Sequence, residues 1–159
     1  MNNNTDRTNN TDSIERSIVI NGTRERVWRA LTDAEEFGAW FGVDLSGQVF
    51  APGQRTRGLF THPGCEGLMF DIVIQHIQPQ DAMSFHWHPY AVDTTADYSE
   101  EIPTLVSFSL KDASGNATLL TVIESGFDKV PAHRRRTAFE MNTEGWLIQL
   151  QNLLNHVSK

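Results

Sequence analysis

Apolar positions first fall into a rhythm near Ile14, and their period then changes twice before the chain ends. Ser13 to Ile20 alternates and is rich in β-branched residues, which predicts a strand, and Asn21-Gly22 then turns the chain. From Thr23 to Leu31, Val27, Trp28 and Leu31 recur at helical spacing, with Arg24, Glu25, Arg26 and Arg29 on the other side. A second short helix follows, opened by the capping-box pair Asp33 and Glu36 and carrying Phe37, Trp40 and Phe41 on its apolar face.

Between Gly42 and Gly126 the period shortens to two. Glycine and proline punctuate six runs that predict strands: Val43–Val49, Arg55–Phe60, Leu68–Ile77, Ala82–His88, Thr104–Leu110 and Thr118–Glu124. Within Leu105–Lys111, Val106, Phe108 and Leu110 point one way and Ser107 and Ser109 the other. In Met83–His88, Met83, Phe85 and Trp87 share one face, while Ser84, His86 and His88 share the opposite one. Ser114-Gly115-Asn116 reads as a hairpin turn. The period then returns to helical from about Pro131 to Val157, where Trp146, Leu147, Leu150, Leu153, Leu154 and Val157 make a continuous apolar stripe. At ~1.5 Å per residue that helix is about 40 Å long, enough to cross a sheet. One turn before Trp146, Asn142 and Thr143 interrupt the stripe until Phe139 resumes it. The order predicts an α+β domain: a curved antiparallel sheet of about six or seven strands, two short helices after the first strand, and one long C-terminal helix covering the apolar face.

Composition narrows the partners. In 159 residues, 13 basic side chains stand against 20 acidic ones, a formal charge of −7 that offers no field to attract nucleic acid or an anionic membrane. A single cysteine, Cys65, excludes an internal disulfide and a Cys-rich zinc site. No apolar run approaches the ~20 residues of a membrane span, and MNNNTDRTNN lacks a signal-peptide core, so a cytoplasmic protein is expected. Residues 1–13, with five Asn, three Thr and no aliphatic side chain after Met1, read as a disordered tail, and residues 14–159 as one domain.

The motifs also resemble a known family. Val27-Trp28-Arg29-Ala30-Leu31-Thr32-Asp33 is similar to the first-helix signature of the SRPBCC (START-like, Bet v 1-like) superfamily, in the branch of the activator of Hsp90 ATPase homologue 1-like C-terminal domain. Trp40-Phe41, Phe85-His86-Trp87, Thr104-Leu105-Val106-Ser107-Phe108, Ala117-Thr118-Leu119 through Glu124-Ser125-Gly126-Phe127, and Gly145-Trp146 with Leu150 and Leu153 extend the similarity in order over about residues 13–157. The resemblance implies a helix-grip fold, in which the sheet wraps the C-terminal helix around a pocket. It also implies a choice of roles, because members bind lipids, hormones and polyketides, some catalyse cyclisation or dehydration, and others attach to a chaperone.

Candidate chemistry is sparse. The aromatic residues Trp40, Phe41, Phe60, Phe70, Phe85, Trp87, Phe108, Phe139 and Trp146, with Asn142 as a polar contact, form the expected ligand-binding set of an internal hydrophobic cavity. That cavity is expected between the N-terminal half of the long helix and the sheet, closed by the Trp40-Phe41 corner and the acidic loop. His86, His88, His62 and Cys65 are metal-binding residue types, but strand parity sets the two strand histidines on the wet face and no carboxylate completes a ligand set, so no metal and no cofactor are expected. Glu124 continues the parity of Leu120 and Val122 and therefore faces inward. The loop from Pro89 to Pro103 carries Asp93, Asp97, Glu100 and Glu101 with no basic residue. It suggests a flap, and Arg134-Arg135-Arg136, which point in three directions, offer it a partner. The sequence thus predicts binding of a small apolar or amphipathic molecule without an evident catalytic set. A polyketide cyclase- or hydrolase-like enzyme using the same cavity and an Hsp90-type chaperone contact are the alternatives.

Overall fold

The computed structural model describes residues 10–159. Its elements are β1 (Ser13–Ile20), α1 (Arg24–Thr32), α2 (Ala34–Phe41), β2 (Arg55–Leu59), β3 (Met69–Gln78), β4 (Ala82–Trp87), β5 (Thr104–Ala113), β6 (Ala117–Ser125), a 3-10 turn (Phe127–Lys129) and α3 (Ala132–Val157). The six strands form one antiparallel sheet in the order β1-β6-β5-β4-β3-β2, with β1 and β2 at its edges. The expected α+β helix-grip architecture is therefore present, with six strands.

Local signals place the helices. Thr23 caps α1 by accepting from the Arg26 N–H, and Asp33 ends α1 while capping α2 by accepting from the Glu36 N–H. The capping box is half made. The Glu36 carboxylate turns away to Arg26, Arg29 and His156, clasping α1 and α2 to the end of α3. Gly42 closes α2 in the left-handed region at φ 91°.

On the sheet's inner face, Phe70, Ile72, Ile74, Met83, Phe85, Val106, Phe108, Leu110, Leu120 and Val122 are buried. Helix α3 lays Ala138, Trp146, Leu150, Leu153 and Val157 into the same core cluster.

Three expectations need correction. Val43–Val49 is not a strand, since only Val43 bridges to Phe60; Asp44 instead caps Ser46 and Gly47 takes φ 77°, a turn the residue types alone left hidden. Leu147 leaves the helix stripe at 50% exposure, because it sits one position past Trp146, some 100° around the helix. The ordered chain also begins before Ile14. The Asp12 backbone carbonyl accepts from the Gly126 and Phe127 N–H groups, and its carboxylate accepts from Asp128 N, so residues 10–13 belong to the fold. The remainder of the tail expectation, residues 1–9, lies outside the described residues.

Candidate functional site

An open cleft of about 1520 Å³ lies between the C-terminal half of α2, the β2–β3–β4 side of the sheet and α3 from Met141 to its C-terminal end. Strand parity divides its lining into two lobes. The inner lobe is made by Trp40, Phe41, Phe60, Phe70, Trp87, Met141, Asn142, Gly145, Trp146, Ile148 and Gln149. The outer lobe runs round the sheet to Arg55, Arg57, Asp71, Val73, His86 and His88, beneath the loop that carries Tyr90 to Ser99.

Aromatic contacts build the inner wall. Phe41 stands 5.2 Å from Phe70, 6.1 Å from Trp87 and 6.3 Å from Trp146, mostly tilted or edge-on, and Trp87 and Trp146 are 5.8 Å apart. Trp40 is anchored by its indole N–H on the Ala30 carbonyl at 2.8 Å, and Gln149 on α3 donates to the Phe41 carbonyl at 3.0 Å. These bonds hold the end of α2 against both neighbouring helices. Gly38 permits the approach of the next loop, because a Cβ there would collide with the Val43 carbonyl oxygen.

Below this wall lies one buried carboxyl group. Glu124 is fully buried, at 0% exposure, and each of its oxygens accepts two hydrogen bonds. Oε2 takes the Trp87 indole N–H at 2.7 Å and the Thr104 hydroxyl at 2.6 Å. Oε1 takes the Trp146 indole N–H at 2.8 Å and the Asn142 amide at 2.9 Å. Indole and amide nitrogens can only donate, so each oxygen of Glu124 accepts from at least one of them. Two tryptophans of the cleft wall are thus oriented by a group that the cleft does not touch.

Of the expected binding set, Trp40, Phe41, Phe60, Phe70, Trp87, Asn142 and Trp146 line the cleft. Phe85 and Phe108 pack behind it as core, and Phe139 lies edge-on to Phe127 at 5.2 Å, away from the lining. Thr143 donates back to the Phe139 carbonyl, which satisfies it within its own helix. Met141, Gly145, Ile148 and Gln149 were missed, because on a helix with a mixed face only the crossing point decides which residues border the sheet. Glu124's inward direction was readable from parity. Its four partners were not, since they come from three separate elements, β4, β5 and α3.

The outer lobe is held by charge. Arg134 makes a bidentate pair with Glu101, with their side chains 12% and 16% exposed, and it also donates to the Pro89 carbonyl at 2.7 Å. Its guanidinium sits 4.7 Å from the centre of the Tyr98 ring. The expected flap is therefore strapped at its root, and of the three successive arginines only Arg134 does this; Arg135 donates to the Val130 carbonyl and Arg136 to Glu140. Burial pushes the His88 imidazole below its usual value, against the upward pull of Glu101. Among the described residues no group of three or more His, Cys, Asp or Glu side chains is placed to hold a metal ion.

Sheet, grip helix and cleft together define an α+β helix-grip protein of the SRPBCC kind. Residues 21–158 match the family model of the activator of Hsp90 ATPase homolog 1-like proteins, and the chain belongs to that family. Among solved structures, a protein from Arthrobacter aurescens superposes with a TM-score of 0.73 at 18% identity, over 93% of this chain and 87% of that one. The Aha1 dimer from Colwellia psychrerythraea gives 0.66 at 19% identity, over 89% and 92%. DynU16, from the dynemicin biosynthetic locus, gives 0.67 at 23% identity over 93% of this chain, which spans only 48% of that protein. At these identities the likenesses establish the fold. Among curated proteins, no sequence matches.

Proposed function

We propose that the inner lobe binds a small apolar or amphipathic molecule in the cytoplasm, with Trp40, Phe41, Phe60, Phe70, Trp87 and Trp146 as its walls and Asn142 as its polar contact. The observation that carries this reading is a concave cleft bordered by aromatic side chains, of which Phe60 and Trp87 stay part-exposed, together with Met141 and Ile148, 47% and 58% exposed. Apolar side chains kept in water around a concave site lose burial that a ligand restores.

Catalysis has less support. Glu124 is the buried acid nearest the cleft, and four donors seal it from any substrate. A cyclase-like reading would need an acid or base that reaches into the lobe. The family's name supports a chaperone contact as the alternative, and recovery of an Hsp90-type ATPase on the immobilised protein would favour it. The binding reading is tested by native mass spectrometry and an organic-solvent extract of the purified protein. A stoichiometric apolar compound is expected. A protein of bare mass that also takes up no apolar probe would overturn it.

A further inference from the structure

Taking the binding role proposed above as given, we infer that Gly145 sets the specificity of the cleft. The bare stretch of α3 backbone that it leaves seats the flat face of a ring, so the site takes a rigid aromatic or fused-ring molecule in preference to a flexible chain. Two glycines lie inside helices, Gly38 in α2 and Gly145 in α3. A Cβ on Gly38 would collide with the Val43 carbonyl oxygen, whereas one on Gly145 would meet no atom within 4 Å. Gly145 also keeps the ordinary right-handed helical backbone, which any L-residue adopts. Neither packing nor backbone geometry requires glycine there, and in the middle of a 26-residue helix it is a poorer choice than alanine.

Its position supplies the reason. On a helix surface the neighbours of a residue are those three and four places away. For Gly145 these are Met141, Asn142, Ile148 and Gln149, and all four line the cleft with it. Gly145 is therefore the centre of the face that α3 turns to the inner lobe. Two of the four are tied off sideways: Asn142 donates to Glu124 Oε1, and Gln149 to the Phe41 carbonyl. Met141 and Ile148 are exposed. None of these side chains folds back over the glycine, since no atom approaches the space of a Cβ. The cleft wall thus has a shallow notch floored by helix backbone, whose N–H and C=O groups are engaged within the helix.

Such a floor selects by shape. A ring system lays its whole face on it in one rigid piece, beside the aromatic wall of Phe41, Trp87 and Trp146. A flexible chain of similar apolar area must order each of its bonds to do the same, which offsets part of the burial. The two also differ in their response to a side chain placed in the notch. A chain bends past a methyl group by changing rotamers, while a ring is lifted off the backbone.

2-Naphthol and 1-octanol share a hydroxyl and differ in this respect. Their affinities for wild type, Gly145→Ala and Gly145→Leu, by isothermal titration calorimetry, test the inference. Wild type should bind naphthol the more tightly. Gly145→Ala should melt about 2–4 °C higher, being the better helix former with nothing to strike. It should nevertheless bind naphthol about fivefold more weakly, the low end of the cost of a methyl inserted into a filled space, with octanol changed less than twofold. Gly145→Leu should extend the loss of naphthol to about tenfold or more. A more stable protein with weaker ring binding is a combination that a purely structural role for Gly145 does not give. Octanol bound as tightly as naphthol by wild type, naphthol affinity unchanged in both variants, an equal loss for the two alcohols, or a lower melting temperature in Gly145→Ala would each overturn the inference while leaving the cleft a binding site. Failure of wild type to bind either alcohol would remove the binding role, and the inference with it. Should Gly145→Leu not fold, Gly145→Ala decides alone.

Discussion

The bond between Trp146 and Glu124 can be isolated energetically. Trp146→Phe keeps an aromatic ring at the junction of helix and sheet but removes the indole N–H that donates to Oε1 at 2.8 Å. A hydrogen bond to a charged group contributes about 1.5–3 kcal/mol, and losing the smaller ring of the indole from a buried site costs a further ~1–2 kcal/mol. The single substitution should therefore destabilise by roughly 2.5–5 kcal/mol. In a Glu124→Leu background the acceptor is already gone and the indole N–H stands unpaired, so the same change should cost about 1 kcal/mol or less. Guanidinium unfolding followed by far-UV circular dichroism on the four proteins of the cycle gives the coupling, expected near 1.5–3 kcal/mol with unchanged m-values. The parallel cycle through Asn142→Ala should give a smaller coupling, about 0.5–1 kcal/mol, because Asn142 borders the cleft and water can take its place. A Trp146 coupling under ~0.5 kcal/mol, or one smaller than that of Asn142, would refute the picture of a sealed carboxylate that orients its partners.

Three further outcomes follow from the packing. Gly38→Ala should lower stability by at least ~1 kcal/mol in thermal unfolding, even though alanine is better than glycine in a helix by about that much, because the new methyl meets the Val43 carbonyl. Burial pushes the Glu36 carboxyl up, but hydrogen bonds from His156, Arg26 and Arg29 outweigh it and hold the group below the usual carboxylate value of 4.5. The stability it contributes is present above that value and lost as pH falls through the lower folded-state value, so Glu36→Gln should flatten the acid limb of the stability–pH curve. Arg134→Gln should release the strap at Pro89 and Glu101 and raise amide exchange across residues 89–103, with the strands of the sheet unaffected.

The order of elements was legible because both periods are strong here. Val106, Phe108 and Leu110 alternate cleanly, and Trp146, Leu150, Leu153 and Val157 keep one helical face. Failure came where geometry is set by contacts distant in sequence. Val43–Val49 has strand composition but no partner strand beyond one bridge, and the start of the domain was hidden because Asp12 acts through its backbone and carboxylate rather than by burying apolar surface. Asn142 stood out as a polar break in an apolar stripe, and Glu124 as an acid of inward parity. That the first answers the second is a fact of α3 crossing β6 at that point, and a one-dimensional pattern carries no such information.

The claim that the inner lobe is a ligand site is tested most directly by the indole N–H signals of the four tryptophans in a proton–nitrogen correlation spectrum, titrated with 2-naphthol. Trp40, Trp87 and Trp146 line the cleft, whereas Trp28 on α1 does not. With each signal assigned by its Trp→Phe variant, those of Trp87, Trp146 and Trp40 should move together along one saturating curve while Trp28 stays in place. Unsaturating drifts of equal size at all four tryptophans, Trp28 included, would contradict the account.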